Sequence, residues 1–284
     1  MDSNKVNMNN KLRPLLLKSL KEKLNGSKDV AILYSGGFES FSCLCLCLEL
    51  GIKPHLYTFY LEGVESHDIR KARIDAQVFN VPLTEVKIPN DYGRLKEDVF
   101  WLVESLKTTR KTVIQCAHPL LYALPEIDEE YVVIGLERGR PWGLNQKGTT
   151  AGYKGLEEFN KYRLFAIEEQ KRNSIHYIVN MINENHVCVR PYDDDDVNDW
   201  FMARGYKELN QPHAKQPILD EFDEEVTKCG MKLKHASYQV ESKLREFHDL
   251  LLNDKELNPN HQHKSVVGVY NNIQKLLNKE EALF

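Results

Sequence analysis

ILYSGGFES, Ile32 to Ser40, sets two glycines and two serines behind an apolar run and places an acid, Glu39, two residues past the second glycine. Upstream, Asp29 to Tyr34 (DVAILY) is a short apolar run, the pattern of a buried parallel strand. Downstream, Phe41 to Leu50 is helical in pattern and stops at Gly51, with Pro54 beyond. A strand that opens through glycines into a helix builds an anion site. Backbone N–H groups reach a phosphate unobstructed by a Cβ, and the helix N-terminus adds partial positive charge. Ser35 and Ser40 can donate hydroxyls to the same oxygens. Glu39 repels phosphate, so its place here makes sense if Mg²⁺ bridges its carboxylate and a pyrophosphate. The spacing is neither G-x-x-x-x-G-K-[ST] nor G-x-G-x-x-G, and a plain tight turn is the competing reading.

Working outward, Leu12 to Leu24 reads as an amphipathic helix ahead of the first strand. His55 to Tyr60 is a second strand, Ser66 opens the polar helix SHDIRKARIDAQVFN, and Leu83 to Ile88 is a third strand. Asp91 to Thr108 suggests another helix, Val113 to Leu124 a strand or helix, and Tyr131 to Ile134 a fourth strand ending at Gly135. Strands alternating with helices predict an α/β fold with a doubly wound parallel sheet. Ligands of such sheets sit outside the carboxyl ends of the strands, where the glycine turn falls. From Arg138 to Gly155 the chain changes character, and five of its fifteen glycines lie there. That stretch reads as a flexible Gly-rich loop, a lid or substrate reader whose Arg and Lys residues suit an anionic substrate. From Leu156 to the end the pattern is helical. The expected organisation is a nucleotide-binding α/β domain over 12–137, the loop over 138–155, and a helical region over 156–284 completing the site.

Composition bounds the partners. The chain has 284 residues, 42% of them hydrophobic and 28% charged, with a net charge of −4, so no global basic field argues for nucleic acid. No apolar run approaches the roughly 20 residues that span a bilayer. Met1 to Asn10 lacks the apolar stretch of a signal peptide, and a cytoplasmic protein is expected. Six cysteines fall at 43, 45, 47, 116, 188 and 229, and the C-x-C-x-C run is not the C-x-x-C spacing of a zinc or redox site. Buried core thiols are expected there. The acids Asp193 to Asp196 read as a helix N-terminus, where carboxylates cap N–H groups and complement the dipole. His261 and His263 read as a solvated turn.

The SGGFES motif resembles the pyrophosphate loop (PP-loop) of the ATP pyrophosphatase superfamily, usually SGGxDS, with Glu39 in place of the Asp. The rest of the chain most resembles the synthetase domain of asparagine synthetase and β-lactam synthetase, collinearly from about residue 12 to 225. LRPLLLKSLKEKL, PHLYTFYLEG, CAHPLLYALPEIDEEYVVIGLERG, VRPYDDDDVNDWFMARG and HAKQPILDEF stand in that family's order. The resemblance implies that Leu33, Ser35, Gly36, Gly37, Glu39, Ser40 and Gly135 contact ATP. It also implies that Glu39 binds Mg²⁺ and that Lys215 is the catalytic lysine, stabilising the α-phosphate or the acyl intermediate. The family's second metal acid falls on Gly139, with Glu137 two residues away as its substitute. The implied activity is an AMP-forming ligase that adenylates a carboxylate and lets an amine or ammonia attack it. The glutaminase domain is missing, so nitrogen would come from free ammonia, an amine substrate or a separate glutaminase subunit; a homo-oligomer is a further expected assembly.

Two other readings stand beside this one. A sulfur-handling PP-loop enzyme, a tRNA thiolase or sulfonucleotide reductase, needs a reactive cysteine, and Cys229 in KCGMK is the candidate. The superfamily's 7-deazaguanine synthases carry a zinc cluster of cysteines that this sequence lacks. A degenerate nucleotide-binding module without catalysis is the third reading, favoured by the changed acids at 39 and 139.

Overall fold

Short apolar runs alternating with amphipathic segments produce five strands: β1 (Val30–Leu33), β2 (His55–Leu61), β3 (Leu83–Ile88), β4 (Tyr131–Val133) and β5 (Val187–Val189). They form one sheet in the order β3-β2-β1-β4-β5. Every pairing is parallel, with Ala31 of β1 opposite His55 on one side and Val132 on the other. The structure, a computed structural model, describes residues 11–170, 174–230 and 242–281. The expected α/β fold class is what the chain adopts. No helix among the described residues is long and apolar enough to cross a membrane.

In the first half, helices connect and cover the strands: α1 (Leu12–Leu24), α2 (Phe38–Glu49), α3 (His67–Phe79), α4 (Tyr92–Leu106), α5 (Lys111–Ala117) and α6 (Leu120–Ala123). Local chemistry sets several of their starts. The Ser66 hydroxyl accepts from the Ile69 N–H at the head of α3, and the Asp91 carboxylate accepts from the Arg94 N–H at the head of α4. In α1, Leu12, Leu16, Leu20 and Leu24 recur every fourth residue and all are buried. Each contributes about 1.5–3 kcal/mol through that burial. Their face packs on α2 and on β5.

Then follow α7 (Gln146–Lys154), α8 (Leu156–Gln170), α9 (Ser174–Asn183), α10 (Asp195–Met202), α11 (Tyr206–Asn210), α12 (Gln216–Glu221), α13 (Asp223–Cys229), α14 (Leu244–Asp249) and α15 (Val266–Glu281). One core lies under α1, α2 and the segments from Trp142 to Cys229; a second joins α4 and α5 to α14 and α15. A third group of buried residues, with Val132, Ile134, Ala123 and Ile182, fills the space against the sheet.

Two expectations are corrected. The segment 138–155 is not a continuous loop, because Gln146–Lys154 is helical, capped by Asn145 accepting from the Gly148 N–H. Its glycines serve close packing: a Cβ on Gly152 would come within 2.4 Å of Tyr206, and one on Gly148 within 2.7 Å of Gly143. The region after 156 is not wholly helical, because Val187–Val189 adds β5 to the sheet. The acid run behaves as capping chemistry predicts. Asp194 accepts from the Asp196 N–H at the head of α10, while Asp193 and Asp195 take the Arg138 guanidinium at 2.5 and 2.6 Å. Arg138 therefore anchors its segment to α10. Cys43, Cys45 and Cys47 are buried in the core, where burial pushes their thiols up.

Candidate functional site

Because β1 is central, its carboxyl end opens between β2 and β4 at the middle of the sheet. The chain leaves it through Tyr34, whose N–H still donates to the Tyr57 carbonyl, and then turns. The turn is held by its own serines. The Gly37 N–H donates to Ser35 Oγ at 3.3 Å, the Ser35 N–H donates to Ser40 Oγ at 3.3 Å, and Ser40 Oγ donates to the Gly37 carbonyl at 3.2 Å. Gly36 adopts φ +67°, the left-handed region that favours glycine, and lies directly on the Lys71 side chain, which a Cβ would approach to 2.7 Å. Lys71 is fully buried and ion-paired with Asp75, which also accepts from the Tyr34 hydroxyl. A buried polar cluster thus supports the turn from below.

Above the turn lies a cavity of about 400 Å³. Its polar lining includes Ser35, Gly37, Glu39, Ser40, Glu137 and Lys215. Its apolar lining includes Leu33, Phe59, Leu120, Ile134, Leu136 and Ile178. Gly135 also lines it, packed so tightly on the first turn of α2 that a Cβ there would meet Glu39 at 2.7 Å. Of the residues singled out from the sequence, Leu33, Ser35, Gly37, Glu39, Ser40, Gly135, Glu137 and Lys215 all line this one cavity, and Gly36 faces Lys71 instead.

Glu39, Glu137 and Lys215 form the charged centre. Lys215 is 4% exposed; its ammonium pairs with the Glu39 carboxylate and stands 3.8 Å from Glu137 Oε1. Burial works against charge on Glu39, but the Lys215 ammonium and hydrogen bonds from Glu137 and Lys215 outweigh it and hold that carboxyl below its usual range. Burial, and then the Glu39 charge, push Glu137 up to about 8. Of the two hydrogen-bonded carboxyls, Glu137 is the one whose environment favours the protonated form and Glu39 the one held ionised by Lys215. Gly139, the position of the resembled family's second acid, has φ +69°, and a Cβ on it would meet Ile167 Cγ1 at 2.2 Å. A side chain has no room there, and Glu137 is the acid that faces the cavity.

Glu39 and Glu137 are two carboxyls side by side next to the Ser35–Ser40 turn. Among the described residues no group of three or more His, Cys, Asp or Glu side chains could hold a metal. A cation held at this pair would take its remaining ligands from water or a bound molecule. Cys229 is the buried last residue of α13; burial, with Asp75 as hydrogen-bond partner, pushes its thiol up to about 12. It is not a reactive thiolate.

Sequence reasoning missed Thr58, Asp68 and Cys116, which also line the cavity. Thr58 sits inside a strand, where alternation marks it only as sheet. Cys116 sits in a helix read only as a strand or helix, and Asp68 looks like an ordinary first-turn acid.

No family model matches this chain and no curated protein does. Among solved structures, a predicted subunit of tRNA methyltransferase from Methanocaldococcus jannaschii is 13% identical with a TM-score of 0.34, covering 69% of this chain and 87% of its own. The NMN synthetase from Francisella tularensis is 13% identical with a TM-score of 0.33, covering 84% of this chain and 92% of its own. Likeness of that degree transfers nothing to this chain.

Proposed function

We propose that this protein is a PP-loop enzyme that binds ATP with Mg²⁺ and cleaves it between the α and β phosphates, as an AMP-forming ligase of the asparagine-synthetase type. The observation that carries the reading is the meeting of Lys215 with Glu39 and Glu137 at the end of the cavity bounded by the Ser35–Ser40 turn. N–H groups of the turn and the Ser35 and Ser40 hydroxyls would bind the pyrophosphate end of the nucleotide. The apolar side chains of the lining would pack on the base. Glu39 and Glu137 would hold Mg²⁺, which when bound supplies charge neutralisation for the leaving pyrophosphate. Lys215, paired with Glu39 at the cavity, would place its ammonium where negative charge builds on the α-phosphate.

The reaction balances without a redox partner. A carboxylate oxygen forms a bond to the α-phosphorus and the bond to the β-phosphate bridging oxygen breaks, releasing pyrophosphate. An amine or ammonia then attacks the acyl carbon, AMP leaves, and the amine loses a proton. The test is pyrophosphate release from ATP and Mg²⁺ over a panel of carboxylates and amines, comparing the wild type with Lys215→Ala and Glu39→Ala. Release that requires a carboxylate and falls by about 10²–10³ in both variants supports the ligase. Nucleotide binding without release from any mixture would favour a non-catalytic module. Release dependent on Cys116, which lines the cavity, would favour sulfur transfer.

A further inference from the structure

Lys215 and Glu137 come from segments distant in the chain, the N-cap of α12 and the loop that follows β4, and one side chain ties those segments together. Asn210, the last residue of α11, is 8% exposed. Its carboxamide is committed wholly to backbone. Oδ1 accepts from the Lys215 N–H at 3.2 Å, and Nδ2 donates to the Trp142 carbonyl at 2.8 Å and the Tyr206 carbonyl at 3.1 Å. Trp142 lies on the same loop as Glu137, and its ring centroid stands 5.8 Å from Lys215 Nζ.

The backbone it holds is unusual. Lys215 has φ 60° and ψ 36°. A non-glycine residue in that left-handed region persists only when its surroundings over-determine it. Carboxamide chemistry meets this requirement from both sides, since one acceptor and two donors lie on a single planar group. Aspartate could accept from Lys215 but could not donate to Trp142 or Tyr206. Asn210 does not line the cavity, so it touches no ligand there.

We propose that Asn210 is a positioning residue that holds Lys215 in its left-handed turn and registers it against the loop leaving Glu137. The inference deepens the proposed function and rests on reading Lys215 as the working ammonium of that site.

The test uses the full chain and a readout that needs no catalysis: the rate at which a soluble amine-acetylating ester modifies Lys215, followed by peptide mass spectrometry and referenced to Lys207. Asn210→Ala and the near-isosteric Asn210→Asp are compared with Leu251→Ala, which removes packing from the core that joins α4 and α5 to α14 and α15, a core that does not contain Asn210 or Lys215. Acetylation of Lys215 is expected to rise about tenfold in Asn210→Ala, about threefold in Asn210→Asp, which keeps the acceptor for the Lys215 N–H but loses both donations, and to stay at the wild-type rate in Leu251→Ala. Unchanged labelling in folded Asn210→Ala or folded Asn210→Asp overturns the proposal, as does an equal rise in Leu251→Ala. In the pyrophosphate assay, kcat is expected to fall about tenfold with little change in KM for ATP. If labelling rises as expected while the wild type itself releases no pyrophosphate, the positioning role stands and the ligase reading falls.

Discussion

At the scale of single residues, Gly139 leaves no room for a side chain. Placing an acid there by Gly139→Asp is expected to destabilise the fold by about 2–4 kcal/mol, from left-handed strain and the clash with Ile167. The urea midpoint measures it, and a variant as stable as the wild type would remove the steric argument. The site is legible in the sequence where its chemistry has a linear spacing: Ser35, Gly37, Glu39 and Ser40 sit within one turn, and short-range rules name them. Lys215 and Glu137 are reached only through resemblance, since nothing local marks a lysine or a glutamate as buried. Asn210 has no signal in the sequence, because its partners are carbonyls and an N–H that any sequence possesses. Glu137→Gln is expected to unfold within about 2 °C of the wild type. Glutamine keeps the size and the donor toward Glu39 that a protonated Glu137 already supplies, and a large loss in a thermal scan would mean that Glu137 is ionised.

At the scale of elements, strands and helices of ordinary length came through in the expected order, from Leu12–Leu24 to the Tyr131 strand. The failures were short or glycine-rich. Three residues, Val187–Val189, are too few to show a period, and α7 contains glycines that helix propensity counts against it. Packing against Tyr206 and Gly143 overrode that propensity. Within α3, the Lys71–Asp75 pair spaced i,i+4 looks like a surface pair in sequence, yet neither side chain is exposed. Lys71→Met would leave Asp75 buried without its cation, with only Tyr34 and Cys229 as partners, and is expected to cost about 3–5 kcal/mol. Lys71→Met combined with Asp75→Leu should recover much of that loss. Equal stability of the single and double variants in urea melts would show that the pair is not coupled.

At the scale of the whole molecule, the C-terminal helices are bound to the sheet domain by a buried polar chain. Asp98 of α4 accepts from His118 Nε2 at 3.0 Å. His118 Nδ1 meets His248 Nε2 at 2.9 Å, and His248 Nδ1 is hydrogen-bonded to the Tyr270 hydroxyl at 2.7 Å. Burial first, then His118 and Lys111, hold His248 well below its ordinary 6.5. The unfolded chain takes up a proton near that pH and the folded chain does not. The contribution of His248 is therefore present above its unfolded pKa and is lost as pH falls below it, by up to about 1.4 kcal/mol per pH unit. Urea unfolding at successive pH values checks this, and His248→Gln should flatten the slope. An unchanged slope in that variant would assign the effect to another group.

The parallel sheet closes late. β4 lies beside β1 and beside β5, so until Val187–Val189 has been made the N–H and C=O groups of Tyr131–Val133 face outward as an unfinished edge. During synthesis at about 5–20 residues per second, more than fifty residues separate the two strands, and the growing chain carries that open edge for seconds. An edge of this kind invites pairing with another chain. The helices α7, α8 and α9 are all made before that edge can be paired.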